Sequence, residues 1–143
     1  QRKMMNYKII AKYLKDLKFE ISNPKIFFEL TKNISNYKIK IDIKSNQFKE
    51  KIIEVETCLS LEAAKEGFDK INTKIVHCTI IELDGNITNK KELEEVILIK
   101  VPTEIYSDIR ETFIMLFEKS GFKEIKIDKS VDFEKLYKQK TIQ

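Results

Sequence analysis

His77 is the only histidine in 143 residues, and Cys58 and Cys78 are the only cysteines, so the side chains that usually hold zinc or attack substrates are scarce. One imidazole cannot build a histidine metal cluster, and the cysteines lack C-x-x-C spacing. His77 and Cys78 are neighbours, but adjacent strand residues point to opposite faces, so they form no Cys/His couple. His77 reads as a core or interface histidine, and both thiols read as structural groups in apolar runs. Gly67, Gly85 and Gly121 are too dispersed for a P-loop or a dinucleotide fingerprint. The carboxylate pairs Glu54 with Glu56 and Glu94 with Glu95 fit solvent faces in a chain with 35% charged residues. Asp84-Gly85-Asn86 is a turn signal that ends a strand. These residue types predict no enzyme, no catalytic residue, no metal and no cofactor; they leave surfaces, and a binding protein becomes the leading class.

The formal charge is +4, yet the lysines alternate with Glu and Asp along nearly the whole chain. That pattern is a solvated mixed surface rather than a concentrated basic patch, so no nucleic-acid partner is expected. No run approaches the roughly 18 apolar residues of a membrane span, so no direct membrane insertion is expected. The start, "QRKMMNYKIIAKY", has cations without a following apolar block and cleavage site, and the expected compartment is the cytoplasm.

The elements that position these surfaces fall into two halves. "YKIIAKYLKDLKFEI" alternates Tyr7, Ile9, Ala11 and Tyr13 against Lys8, Ile10, Lys12 and Leu14, the period of a strand. Tyr37, Ile39, Ile41 and Ile43 alternate more strictly against Lys38, Lys40, Asp42 and Lys44. "IIEVETCLSL" places Ile53, Val55, Leu59 and Leu61 on one face, and "INTKIVHCTIIEL" is a fourth strand, apolar on both sides toward its end. Four consecutive strands without intervening long helices argue for an antiparallel sheet.

The second half changes period. A short helix is predicted over about Lys90 to Ile97 with Asn89 as its cap, and Pro102 then breaks the chain. From Thr103 to Ser120, Ile105, Ile109, Phe113 and Leu116 recur at helical spacing, with Tyr106, Ile114 and Phe117 beside them and Gly121 as the stop. This helix carries more apolar surface than one sheet face needs, so a second helix or another subunit should meet its far side. "VDFEKLYKQK" is a last short helix with Phe133, Leu136 and Tyr137 on one side. The expected fold is α+β, a single domain over residues 1–143: a four-stranded antiparallel sheet followed by a long helix packed on it, plus short helices.

Three blocks resemble one family. Tyr13 to Pro24, "YLKDLKFEISNP", is similar to the start of the SecB protein-export chaperones. "VPTEIYSDIRETFIMLFEKSGF" resembles their long helix with its preceding proline, and "VDFEKLYKQK" resembles their closing segment. The resemblance implies an ATP-independent holdase, assembled as a dimer of dimers, that binds unfolded precursor proteins and hands them to the translocation motor SecA. Lys74 departs from the family, standing where an acidic residue is common, and Cys78 and Thr79 replace small glycines.

Under this reading, Tyr37, Ile39, Ile41 and Ile43 line a substrate-binding groove, together with the crossover after Leu83 and the long helix. Asp16 and Glu20, four apart in an extended stretch, project from one face and form a SecA-docking surface. Ile75, His77, Thr79, Ile109 and Phe113 form the oligomer interface of a homotetramer, because one small domain cannot bury the apolar strand and helix that carry them. Two alternatives stay open: a SecB-like chaperone dedicated to one client such as an antitoxin, and a small nucleic-acid-binding domain.

Overall fold

A computed structural model describes residues 6–34, 37–64, 66–67, 71–85, 89–123 and 125–142. Four antiparallel strands, β1 (Asn6–Glu20), β2 (Tyr37–Lys49), β3 (Ile52–Ala63) and β4 (Asn72–Asp84), form one sheet in the order β1-β4-β3-β2. Tyr37, Ile39, Ile41 and Ile43 pair with Ala63, Leu61, Leu59 and Thr57 across the β2–β3 hairpin. Residues of that parity in β3 and β4, among them Val55, Leu59, Ile75 and Ile81, are almost fully buried under the helices. Their neighbours Glu54, Lys74 and Ile80 lie on the opposite face, which no helix among the described residues covers. Of the turn Asp84-Gly85-Asn86, Gly85 closes β4 at φ 87°, and Asn86 lies outside the described residues.

The first strand departs from simple alternation. Ile10 and Lys15 are extra residues, as the register steps from Ile9↔Ile81 to Ala11↔Ile80 and from Leu14↔His77 to Asp16↔Val76. Each bulge flips the alternation of faces. The expected face of Tyr7, Ile9, Ala11 and Tyr13 therefore divides: Tyr7 and Ile9 look toward the helices, whereas Ala11 and Tyr13 look away. The Tyr13 hydroxyl accordingly donates to Glu54, an open-face residue.

The first two strands do not follow one another directly: a ten-residue helix, α1 (Pro24–Asn33), stands between β1 and β2. The Asn23 side-chain oxygen accepts the Ile26 amide at 2.9 Å, and Pro24 at the first turn lacks only an amide that would have been unpaired there.

Pro102 does not break the chain. α2 (Lys90–Glu95), a wide π-turn segment Val96–Lys100 and α3 (Val101–Lys119) follow without interruption. The Val101 amide reaches back to the Val96 carbonyl, and the Thr103 hydroxyl donates to the Ile99 carbonyl at 2.5 Å, so the proline sits where the hydrogen-bond ladder has already widened. Asn89 caps α2 as expected, accepting from the Lys91 and Glu92 amides.

Ile105, Ile109, Phe113 and Phe117 of α3 pack on the sheet with Leu59, Leu61 and Ile75. Phe117 rather than Leu116 closes this stripe, because spacing by four keeps to one face. A second cluster joins Val96, Ile97 and Val101 to Ile53, Val55, Ile81 and Leu83. The surplus apolar side of α3 is met by the chain itself. The segment after Gly121 folds back over it, with the Tyr106 hydroxyl donating to the Asp128 carbonyl at 2.8 Å and Arg110 Nε to the Ile127 carbonyl at 3.2 Å. It ends in α4 (Phe133–Ile142), whose Phe133 ring meets Tyr106 at 6.1 Å.

Candidate polypeptide-binding groove

Three hollows line the β2 side of the molecule. The first, about 380 Å³, lies between Tyr37, Ile39 and Ile41 on one wall and Ile125, Ile127 and Val131 on the other, with Tyr106 and Phe113 at its base. The second, about 280 Å³, continues along Ile41 and Ile43 to Leu98, Phe133 and Tyr137. The third, about 450 Å³, lies between Phe27, Leu30 and Ile34 of α1's side and Phe117, Phe122 and Ile125. Ile41 and Leu136 are common to the first two, and Ile34 and Ile125 to the first and third, so the hollows run on from one another. The result is one apolar trough rather than a deep pocket.

All four residues expected in a groove, Tyr37, Ile39, Ile41 and Ile43, line this trough. The long helix contributes as expected, and Glu94 and Leu98 represent the crossover. The opposing wall, Ile125 to Leu136, was not foreseen. Its signal was the alternation of Ile125 and Ile127 with Lys126 and Asp128, strand-like yet left without a sheet partner. The end of the trough is tied by the Tyr137 hydroxyl, which donates to Glu94 at 2.7 Å.

Asp16 and Glu20 share the open face of the sheet, since no bulge separates them, and they pair with Val76 and Asn72. Lys18, opposite Lys74, stands between them on the same face, so the row reads acid, base, acid. Glu20 accepts a hydrogen bond from the Ser22 hydroxyl at 3.0 Å. Beside this row Lys15 reaches Glu56 at 3.3 Å and Glu54 at 3.8 Å. The Tyr13 hydroxyl, and more weakly Lys15, holds Glu54 below the usual carboxylate range against the opposing effect of burial.

The five residues assigned to an oligomer interface lie inside one chain. Ile75, Thr79, Ile109 and Phe113 are at most 1% exposed, so they have no surface left for a partner, and Phe113 instead floors the first hollow. His77 retains 9% exposure. It faces α3, and burial lowers its pKa, with Asp108 opposing and Lys12 reinforcing the shift. Its Nδ1 and the hydroxyls of Thr57, Thr73 and Thr79 are buried without a hydrogen-bond partner among the described residues. Exposed apolar side chains occur instead on β1, at Ile10, Tyr13, Leu14 and Leu17, and singly at Phe28 of α1, Phe48 of β2 and Met115 of α3.

Among the described residues no cluster of His, Cys, Asp or Glu could hold a metal ion, and no helix is long and apolar enough to cross a membrane. Cys78 is buried and Cys58 partly buried, both as free thiols whose pKa burial raises.

A family model described as "SecB: Preprotein translocase subunit SecB" matches residues 1–143. The "Putative protein-export protein SecB" of Pelagibacter ubique (strain HTCC1062) is 38% identical over 135 residues, covering 94% of this chain and 96% of that protein. The "Protein-export protein SecB" of Anaplasma marginale (strain Florida) is 24% identical over 141 residues, covering 91% and 79%. A SecB-like chaperone of Mycobacterium tuberculosis, solved in complex with an antitoxin peptide, shares the fold with TM-score 0.64 at 12% identity, covering 85% of this chain and 86% of that one.

Proposed function

We propose, for a chain that belongs to the SecB family, that it is an ATP-independent holdase that keeps unfolded precursor proteins export-competent and delivers them to SecA in the cytoplasm. The observation that carries this reading is the continuous apolar trough along Tyr37, Ile39, Ile41 and Ile43. Burying an unfolded segment there removes apolar surface of both partners from water, at about 25 cal/mol per Å². Such a gain requires no particular sequence, which suits a carrier of many clients. Asp16 and Glu20, on a sheet face no helix covers, supply the SecA-docking surface. The working form is a homotetramer, a dimer of dimers, for which the exposed apolar residues of β1 supply contact surface.

Ile41→Asp tests the groove. Ile41 is only partly buried, so the variant should fold into the parent's assembly, measured by light scattering, while failing to prevent aggregation of a denatured client. Undiminished protection by a folded variant rejects the groove, and a monomeric mass for the parent at micromolar concentration rejects the tetramer.

A further inference from the structure

The open face of the sheet carries its charges in rows that run across the strands. Lys18 of β1 stands directly opposite Lys74 of β4, Lys74 opposite Ser60 of β3, and Ser60 opposite Lys40 of β2. On one side of this row Asp16, Val76, Cys58 and Asp42 are matched in the same way. On its other side Glu20 stands opposite Asn72, and Glu62 opposite Lys38. Two lysines therefore face one another between two flanks that hold acids. Like charges directly opposite one another destabilise a strand pair. The acids around Lys74, namely Asp16, Glu20 and Glu62, are its diagonal neighbours, a separation of roughly 7–8 Å. None of the ion pairs among the described residues uses Lys18 or Lys74, whereas Lys40 has Asp42 at 3.9 Å. Lys18 is exposed and Lys74 partly buried. Burial raises the pKa of the Cys58 thiol, and Lys74 is the strongest charge opposing that rise, which puts its ammonium over this face.

We propose that Lys18 and Lys74 form the centre of the docking face and take a carboxylate of the partner, while Asp16 and Glu20 take its cations. The inference rests on the docking reading above, in which the partner is SecA, and deepens it: the matching surface is mixed in charge, an acid set between bases. Two simpler partners fit less well. A polyanion such as nucleic acid meets Asp16, Glu20, Asp42 and Glu62 around the lysines, and a uniformly basic surface meets the lysines themselves. Complementary placement of this kind fixes which partner docks and in which orientation more than it adds affinity.

Lys74→Glu separates this face from one that is simply acidic, because the two predict effects of opposite sign. Calorimetry at low ionic strength should show SecA bound about fivefold more weakly by the variant than by the parent, with a similar loss in Lys18→Glu and a smaller one in Lys74→Gln. Raised salt should shrink all three losses. The urea midpoint of Lys74→Glu should not fall, since an opposite pair replaces a like one across the strands. Equal or tighter SecA binding by Lys74→Glu or by Lys18→Glu overturns the proposal, and leaves acidic docking standing where Asp16→Lys with Glu20→Lys still weakens binding. A parent that binds no SecA overturns the docking reading itself. A lowered urea midpoint in Lys74→Glu overturns the opposition of the two lysines on which the inference stands.

Discussion

The hydroxyl of Tyr137 and the carboxylate of Glu94 meet at 2.7 Å across 43 residues of chain, joining α4 to α2 at one end of the groove. Phenylalanine in place of Tyr137 keeps the ring that lines the second hollow and removes the hydroxyl that makes this tie. Tyr137→Phe should therefore retain the fold while amide exchange in α4 accelerates relative to β3 and β4. Unchanged protection of α4 would show that Phe133 and Leu136 suffice to hold it.

Gly121 ends α3 at φ 99°, a conformation that side chains rarely adopt. Its amide bonds the Glu118 carbonyl and that of Phe122 the Phe117 carbonyl, while the Phe117 and Phe122 rings pack at 5.2 Å. This is a Schellman closure with its apolar contact. A Cβ at Gly121 would meet the Phe27 ring at 3.4 Å, so the backbone rather than crowding sets the cost. Gly121→Ala should lose about 1–2 kcal/mol in urea unfolding, and an unchanged midpoint would contradict the assignment.

His77 should make stability fall in mild acid. Burial lowers its folded pKa, against the opposing influence of Asp108 and with that of Lys12. As pH drops through the ordinary histidine value of about 6.5, the unfolded chain takes up the proton first. Stability is complete above that value and declines below it until the folded imidazole also charges. Urea midpoints at about pH 7.5 and about pH 5.5 should differ more in the parent than in His77→Gln; equal slopes would remove His77 as the cause.

Reversing both open-face acids, Asp16→Lys with Glu20→Lys, should leave folding and client protection unchanged, since Glu20 is exposed, Asp16 only partly buried, and neither lines the three hollows. Affinity for SecA should fall at low ionic strength and the difference should fade with salt, as expected for charges at a protein surface. Calorimetry giving one SecA affinity for both proteins would leave this row as plain solvated surface, with Lys18 between the two acids.

Alternation made β2 and β3 legible, because their faces alternate without interruption from Tyr37 to Gln47 and from Ile53 to Ala63, whereas β4 was legible from its β-branched residues, with Val76, Cys78 and Ile80 on the face away from the helices. β1 was legible as a strand but not in its facing, since a bulge leaves composition unchanged while shifting every later side chain. α1 was missed because Asn-Pro serves turns and helix starts alike, and only the Ile26 amide on Asn23 distinguishes them. Pro102 misled for a related reason: the widened turn removes the clash that normally stops a helix, and no residue type announces it. Half of the groove could be read from Tyr37 to Ile43. The other half is an unpaired segment whose place depends on Tyr106 and Arg110 reaching its carbonyls, a long-range event invisible to local spacing.

The strand order has a consequence for biogenesis. β1 is made first yet hydrogen-bonds only to β4, with Asn6 opposite Asp84 and Glu20 opposite Asn72. A ribosome adding roughly 5–20 residues per second leaves β1 without its partner for several seconds. During that interval the nascent chain displays Ile9, Leu14, Leu17 and Phe19 unpaired, while the β2–β3 hairpin can already close. A carrier of unfolded polypeptides thus begins life as one, and its own amino-terminal strand is the part most exposed to capture by finished copies.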